Sequence, residues 1–321
     1  MPKNKPLLLP WIDRSAKQIL SRAGVDISLD EPMEWQKFSQ FLAYCTGTNT
    51  LDQLASKTGL DSAAIEILVA DLEQYGFVWN LPAYDEIPVK LFKAEFNRWL
   101  PIWVERMYDQ PFWQELYDGT APAAVFYGWA MENTHYTRTV ISHMTLASRY
   151  AETGRWSAGQ FNHLSEEWDH YQMFLKACAA ATAPNLSLTD IRPLSSTLDI
   201  THFLRSRARQ GTLVYNACEA LLEASTVEAD LVIDFYQTAG RKLNLNSTFI
   251  DELIRHVVVD QNFEHIDIFD HLLSNEESLT QDTVINIFSS CTQLVELFVL
   301  WHKQIYDHYR FYKLSELDRA S

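Results

Sequence analysis

The chain has 321 residues, 47% of them apolar and 13% aromatic, with ten tryptophans, so it is long enough to bury a bulky core as one large domain or two. Its 42 acidic residues outweigh 26 basic ones, and the formal charge of -16 gives a surface that repels nucleic acid and anionic membranes. The opening "MPKNKPLLLPWIDRSAKQIL" has an apolar centre of only three leucines, no run approaches a membrane span, and Cys45, Cys178, Cys218 and Cys291 show no CxxC spacing; the expectation is a cytoplasmic chain in a reducing compartment.

In chain order, the pattern is almost wholly helical, because glycine is scarce and apolar residues recur at three and four. Residues 34 to 78 read as a small unit of three helices. "EWQKFSQFLAYC" is the first. "TNTLDQLASKTGL" follows with Thr50 as N-cap, and "DSAAIEILVADLEQYG" is opened by Asp61 or Ser62 and closed by Gly76. "FVWN" suggests a short strand, which completes a winged-helix-like pattern. The third helix carries Glu66, Asp71 and Glu73 and no Lys or Arg, which argues against a recognition helix on DNA. The unit resembles small peptide-binding domains found beside peptide-modifying enzymes, and docking to a carrier, a peptide or a reductase, or dimerisation, is its expected role. A bridge, "AYDEIPVKLFKAEFNRWL", leads to about seven helices, near 100–117, 121–150, 156–182, 198–212, 213–239, 247–274 and 280–312. The long loop "TAPNLSLTDIRPLSS" and the connector "TAGRKLNLNS" separate them. The expected division is 1–85 for the docking unit and 86–321 for the body.

Burying a charge on the inner face of an apolar helix is costly unless it is paired or bound to metal. Four helices nonetheless carry such groups. Glu132 and His135 sit in the Trp- and Tyr-rich run "AVFYGWAMENTHYTRTVISHM". Glu167 and His170 are three apart, with His163 one turn earlier. Glu219 and Glu223 are four apart amid Ala, Leu and Cys. His256 and Asp260 are four apart and flanked by valines, with Glu264, His265, Asp267 and His271 beyond. Groups three or four apart on one helix point the same way. Four helices each offering one or two such groups can build a carboxylate-bridged metal centre, and imidazole with carboxylate suits iron or manganese. Each piece also has a plain reading, as a solvated pair or a hydrogen-bonded core network.

The order Glu132, Glu167-x-x-His170, Glu223, His256-x-x-x-Asp260, with separations of 35, 56 and 33 residues, resembles the heme-oxygenase-like diiron oxidases across residues 95 to 312. The resemblance implies an all-α, heme-oxygenase-like seven-helix bundle with the small N-terminal unit appended. It further implies two Fe(II) per chain, held by Glu132, Glu167, His170, Glu223, His256 and Asp260, and O2 as co-substrate. Members oxidise small molecules, such as amino acids or other carboxylates, in natural-product pathways. Where many members have a further ligand three residues after the Asp, this chain has Phe263, so Glu264 or His163 stands as the replacement. His135 and Glu219 are secondary candidates. Asp267 and His271 form a rival pair about 15 Å further along the helix. Arg138 is the candidate clamp for a substrate carboxylate, with Arg205, Arg207 and Arg209 behind it, and Tyr127, Trp129, Tyr136 and Trp168 are candidate pocket walls. Two rival readings stay open. One is a metal-free enzyme on the same fold, either a ring oxidase or a thiaminase-type hydrolase using Cys218. The other is a non-enzymatic docking or regulatory protein.

Overall fold

The computed structural model describes residues 5–8, 12–14, 19–22, 25–28, 32–74, 77–81, 86–150, 161, 163–165, 167–181, 192–224, 229–260 and 267–311. At 8, 12–14, 19–22, 25–28, 32–35, 80, 260 and 267 it describes the backbone alone. By internal contacts the chain forms two compact units, Met1–Arg106 with Glu276–Thr292, and Met107–Asn275 with Gln293–Ser321. The sequence pattern puts the break at 85. The first unit takes in more because the bridge after 85 pairs and packs with the segment from 276 onward.

In the first unit, helices Pro32–Tyr44, Leu51–Thr58 and Ser62–Gln74 enclose a core of Phe38, Phe41, Leu42, Leu54, Ile65, Val69 and Leu72. The second of these helices is fixed at both ends. Thr50 and Gln53 form a reciprocal capping box, and Gly59 ends the helix at φ 69°. The expected strand is present at Val78–Leu81, and it pairs antiparallel with Lys5–Leu8, Lys5 opposite Leu81. Strands Ile12–Arg14, Ile19–Arg22 and Val25–Ser28 form an antiparallel three-stranded sheet that the helical reading passed over. Each is only three or four residues long, too short for alternation to stand out, though Ala23-Gly24 between the last two is a turn signal. Glu66, Asp71 and Glu73 are all exposed on the third helix.

Helix Val89–Tyr108 begins eleven residues before the expected start at 100 and contains Pro101. A proline there costs about 3 kcal/mol. Phe92, Phe96, Trp99 and Trp103 offset that cost, since they fall on one stripe and pack around Phe288, with Trp99 4.1 Å from it between ring centroids. The Trp103 indole N–H donates to Thr292 Oγ1 at 3.1 Å.

The second unit is helical. Ala123–Tyr150 packs on Tyr171–Ala181 and Ser195–Gln210. Ser247–Asp260 packs on Tyr171–Ala181 and Ala229–Lys242, while Thr212–Ala224 packs on Ser195–Gln210 and Asp267–Leu273. Pro111 opens the helix Pro111–Asp118, which divides the expected 100–117 element. Within the expected 213–239 helix the described stretches are Thr212–Ala224 and Ala229–Lys242, and within the expected 247–274 helix Ser247–Asp260 and Asp267–Leu273. Close approach sets Gly128 inside Ala123–Tyr150: a Cβ there would lie 2.2 Å from the Tyr309 ring. Gln281–Tyr309 is long and apolar enough to cross a membrane by composition, yet 44% of its apolar window is buried inside the protein, including Ile287, Phe288, Leu294 and Trp301.

Candidate metal centre

Residues 163–165 and 167 are helical ahead of Tyr171–Ala181, and the turn at 168–170 keeps His163, Glu167 and His170 on one side. His163 is 4% exposed and His170 2%, so both imidazoles are taken out of water. Glu223 arrives from the end of Thr212–Ala224. His163 Nε2 stands 3.7 Å from Glu223 Oε1 and 4.0 Å from Glu167 Oε1. One ligand atom from each of these three residues falls within 4.8 Å of the other two, close enough for a single cation to bind all three. On the other side of Glu167, its Oε2 meets His170 Nδ1 at 3.0 Å. His256, from Ser247–Asp260, lies with its ring 5.3 Å from His170 and 4.6 Å from Phe174. Glu167 thus reaches His163 through one oxygen and His170 through the other.

The electrostatics fit a positive occupant. Burial alone would lower the His163 pKa, but the bond to Glu223 and the charges of Glu219, Glu223 and Glu167 outweigh it and raise the pKa. A cation bound here would replace the proton that these carboxylates otherwise hold on the ring. Glu219, one turn before Glu223, is pushed up to about 7, first by burial and then by Glu223 and Glu167, against the opposing effects of His163 and the Tyr215 hydrogen bond. Tyr136 is held well above the usual phenol range by burial and by Glu219, Glu223 and Glu167.

Glu132, expected as a ligand, is built into a different network. Its carboxylate is fully buried and accepts from the Leu194 N–H at 3.0 Å, from the Thr197 hydroxyl, and from the Tyr309 hydroxyl at 2.9 Å. The Trp301 indole N–H donates to Thr197 at 2.8 Å and closes the network. Both oxygens of Glu132 are therefore already engaged. His135 is half-buried on the same helix, and Arg138 is exposed. Of the arginines considered, Arg205 is the one whose charge is felt at a buried histidine of this region, His143. His271 is exposed. The side chains of Asp260 and Asp267, and all of Phe263, Glu264 and His265, fall outside the described residues. Trp168 is 60% exposed, which removes it from the pocket walls, whereas Tyr127 and Trp129 are buried in the core. Cys218 is fully buried.

The sequence reading missed His143 and Tyr215. His143 is fully buried, with Nδ1 2.7 Å from the Tyr215 hydroxyl and 3.7 Å from Glu219 Oε1. Tyr215, Glu219 and Glu223 are spaced by four along one helix, and Tyr136 and His143 by seven along another, so periodicity alone could have found both. A groove of about 550 Å³ lined by Tyr108, Trp113, Tyr117 and Phe235 contains none of the candidate ligands.

No known protein family matches the sequence, and no curated protein matches it. Solved structures do match in fold. A domain of unknown function with a heme oxygenase-like fold from Shewanella denitrificans superposes with a TM-score of 0.53 at 17% identity, covering 73% of this chain and 97% of that one. A TenA homologue from Pseudomonas syringae pv. tomato gives 0.53 at 12%, covering 67% and 93%. A CADD-like protein of unknown function from Nostoc punctiforme gives 0.50 at 12%, covering 69% and 98%.

Proposed function

We propose that this chain, whose helical body has the heme-oxygenase-like fold, is an O2-dependent oxidase with two Fe(II) bound among its carboxylates and imidazoles. The observation that carries this reading is the meeting of His163 and Glu167, from one segment, with Glu223, from Thr212–Ala224, around one partly buried point, with His170 bonded to Glu167 and the His256 ring beside His170. His163, Glu167 and Glu223 would hold one iron, and Glu167, His170 and His256 the other, with Asp260 expected to complete it. When bound, the metal pair supplies O2 activation and the oxidation of a small organic substrate. The chain's own residues do the rest. Glu167 and Glu223 would offset part of the charge of the two cations. Phe174 covers one side of His256 and keeps water from that donor. Glu219, buried one turn before Glu223, lines the site beside that ligand. Arg205 is the residue proposed to offset the charge of a substrate carboxylate, such as that of an amino acid.

Anaerobic titration with Fe(II) tests the reading. The expected result is about two irons bound per chain, with a transient visible absorption on admission of air. His163→Ala or Glu223→Ala should abolish stoichiometric binding. A wild-type chain that takes up no iron at stoichiometric ratio sinks the proposal. Cys218→Ala should leave iron uptake and oxidation intact, whereas loss of a substrate-hydrolysing activity on that substitution would support the metal-free reading.

A further inference from the structure

The His143–Tyr215–Glu219 group has no place in the ligand set, yet it occupies the space next to it. Tyr215 is 2% exposed and His143 fully buried, and a hydrogen bond of 2.7 Å joins the phenol to Nδ1. Glu219 Oε1 stands 3.7 Å from the same His143 Nδ1. Tyr215, Glu219 and Glu223 follow one another at four-residue intervals on Thr212–Ala224, so the backbone positions of Tyr215 and Glu223 lie about 12 Å apart along the axis and share a face. The His143 Nε2 atom is buried without a hydrogen-bond partner among the described residues.

An imidazole bonded to a buried phenol has a specific chemical consequence. Removing an electron from tyrosine makes its hydroxyl proton strongly acidic, and a tyrosine in a dry interior is oxidised readily only if a base already sits within hydrogen-bond distance. We propose that Tyr215 is a redox-active tyrosine that donates one electron to the neighbouring centre and its proton to His143. In that step the Tyr215 O–H bond breaks and an N–H bond forms at His143 Nδ1. The electron reduces, by one equivalent, an oxidant derived from O2 at the His163, Glu167 and Glu223 group, and a neutral phenoxyl radical remains. For Tyr136, also near the carboxylates, the ring neighbours seen among the described residues are Phe298 and Trp301. This inference rests on the oxygen-dependent reading above for its oxidant, but the phenol–imidazole pair can be tested without metal.

The first experiment uses the full chain loaded with Fe(II), exposed to air and freeze-quenched for electron paramagnetic resonance. A tyrosyl signal is expected that changes width with ring-deuterated tyrosine and is lost in Tyr215→Phe at unchanged iron content. His143→Leu should shorten its lifetime at least tenfold. The second experiment takes the metal-free full chain and oxidises it by flash photolysis with a ruthenium polypyridyl sensitiser and an electron-accepting quencher. A long-lived tyrosyl component is expected in the wild type and missing from Tyr215→Phe. A chain that binds no iron defeats the oxidase reading, and the flash experiment then decides on Tyr215 alone. A signal that survives Tyr215→Phe, or a wild type indistinguishable from that variant in the flash experiment, overturns the inference.

Discussion

Glu132 shows how one residue's role turns on its partners. Its place in an aromatic-rich helix told that the carboxyl is buried, and burial does raise its pKa against the lowering effect of Thr197, Leu194 and Tyr309. Which groups meet it was not legible, because Leu194, Thr197 and Tyr309 lie 62, 65 and 177 residues away. Glu132→Ala would leave several buried donors without an acceptor, at a cost of about 1–3 kcal/mol each. We expect that substitution to lower the unfolding midpoint by several degrees, while Glu132→Gln keeps the iron content of the wild type. Iron analysis beside a thermal scan checks both, and lost iron in Glu132→Gln would return Glu132 to the ligand set. Gly128 belongs to the same network, since an added methyl group would press on the Tyr309 ring whose hydroxyl bonds Glu132. Gly128→Ala should destabilise the fold by about 1–3 kcal/mol through overpacking, despite the better helix propensity of alanine. A midpoint in denaturant at or above that of wild type would contradict this.

At the scale of elements, caps and breaks were the most readable features. Thr50 was identified from its position alone, and the structure adds the bond that the Thr50 N–H donates back to Gln53 Oε1. Thr50→Ala should cost about 1 kcal/mol, measurable by chemical denaturation of the full chain, and Thr50→Asn should restore most of it. Helix Val89–Tyr108 was less readable: the stretch before 100 was read as a bridge, although its aromatic stripe, which packing rewards, runs back to Phe92. Element packing also sets a pH dependence. His302 is stacked on Phe112 at 5.1 Å and bonded to the Met107 backbone, and burial lowers its pKa from 6.5 to about 3. The unfolded chain therefore binds a proton at His302 that the folded chain refuses between those two values. Stability from this group is complete above pH 6.5 and falls as the pH drops towards 3, by about 1.4 kcal/mol per pH unit. His302→Phe should flatten that acid limb in a series of denaturation midpoints. An unchanged slope would show that other groups dominate acid unfolding.

For the molecule as a whole, bound metal and the folded state are linked. If iron binds only the native site, a free concentration one hundred times the dissociation constant adds about 2.7 kcal/mol. A thermal scan should show this shift for wild type, its reversal by a chelator, and its absence in His163→Ala. A shift that survives in His163→Ala would place the metal elsewhere. The helical class, the acidic surface, the winged-helix-like helices and the residue types of the site were all legible in the amino-acid order, since each follows from spacing within a single helix or from composition. The convergence of His163, Glu167 and Glu223, the diversion of Glu132 to Thr197 and Tyr309, and the pairing of His143 with Tyr215 emerged only once the helices were packed. Periodicity along a helix tells which side chains share a face, but it holds no information about which other helix that face will meet. That is settled by long-range packing, where the fit of one core against another chooses among faces that are equivalent by sequence alone.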